Sequence, residues 1–176
     1  MNHIIGVLTR PASAFERIAA ESVLGMAIAV QAVVCFLSWM AKTVGSGAEW
    51  LPAIGEALAG ALASIILCFL MAGLSHGIAG FMNGAGTWKK QFSAYSYCVL
   101  PELVIIPIQL IVLSLGMEDV NSAVLFITSV WCLVLNVYAI EAVQKIGSLK
   151  ACIALLVPYV AVSGISMGIA ARFLAQ

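Results

Sequence analysis

A single carboxylate, Glu102, stands inside an apolar run long enough to cross a bilayer, in the segment from Tyr95 to Gln109. A carboxylate at membrane depth is costly and turns toward protein or a wet cavity. Tyr95, Glu102 and Gln109 follow one another at seven-residue intervals, which places them on one stripe of a helix. Pro101 and Pro107 flank the acid. Each lacks a backbone N–H, so the carbonyls of Tyr97 and Leu103 lose their helical donors and must find other partners in lipid. The expectation is a central helix broken or kinked at both prolines, with its polar stripe turned inward. Two chemistries fit. One is a structural glutamate hydrogen-bonded to Asn136, His76 or Gln31. The other is an ion or solute site of the kind that broken helices build near the bilayer midplane.

Other reactive side chains fall short of a catalytic set. Ser75 and His76 are adjacent and project in different directions around a helix, so they make no nucleophile and base pair. Paired-carboxylate chemistry needs a second acid, and Glu102 has none at its depth. His76 has no histidine or cysteine at ligand spacing, so no metal site is expected, and no cofactor is implied. Cys35, Cys68, Cys98, Cys132 and Cys152 lie in or beside apolar runs without a C-x-x-C pair, and read as small buried hydrophobes.

The elements that hold these residues follow from composition. Of 176 residues, 63% are hydrophobic and 9% charged, against roughly 25% charged in soluble domains. The fold class is therefore all-α, a polytopic bundle of five transmembrane helices at about 22–41, 57–81, 94–115, 123–140 and 151–171. These lie within a unit covering 22–176. A short interfacial arm, 1–21, precedes them. In the arm, Ser13 and Glu16 fit a capping box, and the mixture of acids and bases does not read as a signal peptide. Gly73-Leu-Ser-His-Gly77 and Gly164-Ile-Ser-Met-Gly168 are small-xxx-small patterns suited to close helix approach. Trp88, Lys89 and Lys90 follow the Asn83-Gly-Ala-Gly86 turn and are candidate contacts for anionic headgroups. Arg10, Arg17, Lys89, Lys90, Lys145 and Lys150 share one side of a five-span arrangement, and Lys42 and Arg172 the other. The basic side predicts a cytoplasmic N-terminus and a C-terminus on the opposite face. Zero formal net charge gives no support for nucleic-acid binding.

Several pieces resemble the Yip family, small membrane proteins named for interaction with Ypt/Rab GTPases. They are Arg10-Pro11-Ala-Ser13-Ala-Phe15, Gly84-Ala-Gly86-Thr-Trp-Lys89, Tyr95-Ser-Tyr97 with Pro101, and Tyr138 to Ile146. The resemblance implies five spans, a cytoplasmic N-terminus and no catalytic centre. Eukaryotic members are linked to vesicle trafficking. The short N-terminal region here looks more like that of a compact bacterial member, which implies the inner membrane. The functional expectation is a non-enzymatic protein acting through association with membrane proteins, with itself or with lipid. The alternative is a small transporter, channel or lipid-moving protein that uses the broken third helix and Glu102.

Overall fold

A computed structural model describes the backbone of residues 3–21 and 24–174 and the side chains of 4–21 and 24–164. Among these residues every regular element is a helix. The arm holds α1 (His3–Thr9) and α2 (Pro11–Glu21). The bundle holds α3 (Leu24–Gly45), α4 (Trp50–Phe81), α5 (Trp88–Tyr97), α6 (Leu100–Ser114), α7 (Glu118–Gln144) and α8 (Ser148–Leu174).

Among the described residues, four helical stretches are long and apolar enough to cross a membrane: α3, α4, α5 with α6, and α7. The 22 residues of α3 rise about 33 Å at 1.5 Å per residue, enough for a hydrocarbon core of about 30 Å. The described side chains of α8 cover a shorter apolar helix, Ser148–Gly164. The rest of the second small-xxx-small pattern, and the side chain of Arg172, lie outside the described residues. Large apolar side chains such as Leu58, Leu62, Ile66, Phe126 and Ile127 face outward, as lipid contact requires in an integral membrane protein.

The helices run past the apolar stretches that predict them. The expected loop from Lys42 to Glu56 shrinks to a short turn, because α4 already begins at Trp50 and carries Pro52 near its start, where a missing N–H is harmless. The helix leading into the third span begins at Trp88, ahead of Ala94. The arm contains two helices where one was expected. The capping box does not form: α2 starts at Pro11, and the Ser13 hydroxyl donates to the Arg10 carbonyl at 3.2 Å. The arm packs on the bundle, with Val7, Phe15 and Ile18 buried in a core shared with Ala94, Tyr97, Leu100, Leu135 and Val143.

The third span is broken once. Between α5 and α6, Cys98 and Val99 form a tight turn in which Cys98 N–H donates to Tyr95 O and Glu102 N–H to Val99 O, both at 2.9 Å. These i→i−3 bonds replace the α-helical ladder just before Pro101, which sits in the first turn of α6. The second expected break is absent. Helix α6 runs through Pro107, whose ring is on the exposed face, so the lost bond to Leu103 costs a distortion and not an interruption.

This single break shapes the interior. α5 packs against α3, α4 and α7, while α6 packs mainly against α3 and α7. α8 packs on α4 and α7. The chain thus fills the middle of the bundle along α5 and leaves α4 after the turn, opening space bounded by α3, α4, α6, α7 and α8.

Candidate functional site

That space is two adjoining cavities. The Lys42 cavity, of about 330 Å³, is lined by Ser38 and Lys42 of α3, Glu102, Ile105 and Gln109 of α6, Thr128, Ser129 and Cys132 of α7, and Tyr159 of α8, among others. The Tyr95 cavity, of about 240 Å³, is lined by Gln31 and Cys35 of α3, Ser64, Cys68 and Met71 of α4, Tyr95 of α5, Cys98 and Val99 of the turn, Glu102 of α6, Asn136 of α7 and others. Glu102, Cys132 and Tyr159 line both cavities and form the wall between them.

Helical periodicity explains how the linings arise. On α3, Gln31, Cys35, Ser38 and Lys42 fall at four-, three- and four-residue steps, one face of a helix. On α7, Thr128, Cys132 and Asn136 do the same. The stripe on the third span also faces inward: Tyr95 and Gln109 are buried and Glu102 is half-buried. The carboxylate sits in the first turn of α6, where the helix dipole favours a negative group.

The linings are short of hydrogen bonds. Gln31 Oε1 and Asn136 Oδ1 in the Tyr95 cavity, and Ser38 Oγ and Gln109 Nε2 in the Lys42 cavity, are buried with no partner among the described residues. Their other atoms are engaged locally: Asn136 Nδ2 donates to Cys132 O at 2.8 Å and Gln31 Nε2 to Cys35 Sγ at 3.3 Å. Neither Gln31 nor Asn136 bonds to Glu102. An orphaned buried polar group costs about 1–3 kcal/mol, so four such atoms on lining residues mark these walls as costly for packing alone.

The remaining sequence candidates divide. Pro101 is buried at the turn and Pro107 faces outward. His76 lines neither cavity. Its Nδ1 lies 2.9 Å from Gln144 Nε2, which also donates to Gln91 Oε1 at 3.0 Å. Gly86 N–H donates to Gln144 Oε1 at 3.1 Å. Because a backbone N–H only donates, it fixes the amide's orientation, and His76 Nδ1 must accept. The same junction explains two resembling pieces of sequence. A Cβ on Gly86 would lie 2.5 Å from the Val143 carbonyl oxygen, and one on Gly84 2.7 Å from Gln144 Oε1. The glycines therefore let the loop lie on the end of α7. Trp88 is half-buried and packs on other rings. Its ring meets Phe69 edge-on at 4.7 Å and stacks with Phe92 at 5.9 Å. Lys89 is exposed and Lys90 half-buried.

Sequence reasoning missed Gln91, Gln144, Ser38, Lys42 and the shared setting of the cysteines. Four of the five free thiols, Cys35, Cys68, Cys98 and Cys132, line the Tyr95 cavity. Among the described residues, no three His, Cys, Asp or Glu side chains are grouped to hold a metal ion. The polar steps on α3 and α7 were available as a signal. The contacts of Gln144 span 53 to 68 residues and leave no local pattern.

Comparison with known proteins agrees with this architecture. The family model described as the Yip1 domain matches residues 5–170, nearly the whole chain. No curated protein and no solved structure matches the chain. This integral membrane protein belongs to the Yip1 family.

Proposed function

We propose that the protein is a non-enzymatic, five-span membrane protein that acts by association within the bilayer, with the chamber around Glu102 as its association site. The proposed setting is a bacterial inner membrane with the N-terminus in the cytoplasm. The observation that carries the proposal is the single carboxylate that lines both cavities, whose linings also include four residues with unpartnered buried polar atoms. A bundle that served only packing would fill such space with apolar side chains. Against catalysis stands the division of the adjacent Ser75 and His76. Ser75 accepts from Tyr95 and His76 from Gln144, so they do not form a nucleophile and base pair. Lipid, a membrane-protein partner or a second copy remain the classes of partner.

A second reading, transport, is favoured by the shared wall itself: Glu102, Cys132 and Tyr159 lie where the two cavities meet, as a gate in a path would. One comparison separates the two. Purified wild type and Glu102→Gln are placed in proteoliposomes for ion and solute flux, and in mild detergent for native mass spectrometry. Association predicts no flux from either protein and a polar lipid or partner retained by the wild type but not by the variant. Flux in the wild type that the substitution abolishes would establish transport instead. Neither flux nor retention would overturn both.

A further inference from the structure

The Lys42 cavity carries opposite charges that do not neutralise one another. Glu102 and Lys42 both line it, yet no ion pair or hydrogen bond joins them. Lys42 is an exposed residue at the edge of the lining, and its ammonium lies over the Trp39 ring, 5.2 Å from the centroid. That ring is itself seated against Gly60 of α4, where a Cβ would come within 2.5 Å of it. A glycine at 60 thus leaves room for the indole, and the cation lies over its face. Two further lining residues carry buried atoms without partners among the described residues, Gln109 Nε2, which only donates, and Ser38 Oγ. Both residues are 3% exposed. The lining therefore combines an acidic residue, Glu102, with a basic one, Lys42, at its exposed edge. The half-buried side chains of Ile105, Leu125 and Leu133 complete its wall.

A site of this composition does not suit a simple cation, which Lys42 would repel. Nor does it suit a simple anion, which Glu102 would repel. It suits a ligand that carries both charges. Resting on the reading of the chamber as the association site, we propose that the Lys42 cavity binds a zwitterion. Its ammonium faces Glu102, and its phosphate or carboxylate faces Lys42, Gln109 and Ser38. A primary ammonium supplies N–H donors for the carboxylate and a quaternary one does not, so the aminoethyl phosphate headgroup fits better than choline. The apolar wall provides for the glycerol and acyl carbons of a lipid. A free zwitterion of the same chemistry would use the polar groups alone.

The test is native mass spectrometry of the full chain in detergent, titrated with phosphatidylethanolamine, phosphatidylglycerol and phosphatidylcholine. The proteins compared are wild type, Glu102→Gln and Lys42→Ala, with circular dichroism melting to confirm that each is folded. The wild type should retain phosphatidylethanolamine about tenfold better than phosphatidylglycerol, and each substitution should erase that preference. Soluble glycerophosphoethanolamine is the second arm. If it displaces the lipid, the headgroup alone is the ligand; if it does not, the lipid is. Both results uphold the zwitterion. Equal retention of phosphatidylglycerol by the wild type, or a preference that survives both substitutions, would overturn it. Lipid retained through Glu102 without headgroup preference would overturn only this inference, whereas no retention of any polar lipid would also count against the chamber as a binding site.

Discussion

The Tyr95 hydroxyl donates to Ser75 Oγ at 2.7 Å, joining the half of the third span before its break to α4. Both residues are buried, and Tyr95 lines one of the two cavities. The bond holds α5 against α4 immediately before the turn at Cys98 and Val99, after which α6 leaves that helix. Tyr95→Phe should lower stability by about 1 kcal/mol, and Ser75→Ala by about 1–3 kcal/mol because it strands the phenol. Chemical denaturation in detergent, followed by circular dichroism, checks both. In the double variant the costs should fall short of their sum.

The loop after α4 makes a contrast between glycines. Gly86→Ala forces a Cβ against the Val143 carbonyl and should destabilise by about 1–3 kcal/mol. Gly77→Ala meets nothing within 4 Å and should be neutral or gain up to about 1 kcal/mol from helix propensity. Melting temperatures of the two variants, measured side by side, test the docked loop. Equal effects would count against it.

The arm is integral to the core. Phe15 is 0% exposed and packs with Tyr97, Leu100 and Leu135. Phe15→Ala should cost about 3–5 kcal/mol and expose the segment around Arg10 to protease. Limited proteolysis of the purified protein would reveal either the predicted cleavage or an arm whose protection does not depend on Phe15.

Glu102 separates stability from association. Its carboxylate makes no hydrogen bond or ion pair among the described residues, so Glu102→Gln should change stability by less than about 0.5 kcal/mol. Glu102→Leu should also fold, since the residue is only half-buried. Both should lose retained polar lipid. A large drop in melting temperature for Gln would mean that the charge itself is structural.

The sequence made the helical class legible because apolar runs of span length have few alternatives in lipid. It also made the stripe from Tyr95 through Glu102 to Gln109 legible, because the three share one period. The two prolines were less readable. Both remove the same backbone donor, and only the packing distinguishes Pro101, placed in a first turn, from Pro107, on an outward face. The helices reach beyond the apolar runs because α4 takes in Trp50 to Glu56 and α5 takes in Trp88 to Ser93, where Gln91 bonds to Gln144 across the bundle. Gln144 was invisible for a different reason. It joins the loop at Gly86, His76 and Gln91, and such long-range bonds follow from the bundle and not from spacing. Lys42 looked like a loop residue, and only the longer α3 brings it onto the face with Ser38.

The most direct measurement places a thiol at 102. In a variant with all five native cysteines replaced, Glu102→Cys and Ile108→Cys are each exposed to a small, charged, water-soluble thiol reagent in proteoliposomes. Ile108 is on the outward face of the same helix. A polar chamber predicts rapid labelling at 102 and little at 108, with the label at 102 slowed when phosphatidylethanolamine is added. Labelling at 102 as slow as at 108, with or without that lipid, would contradict the account.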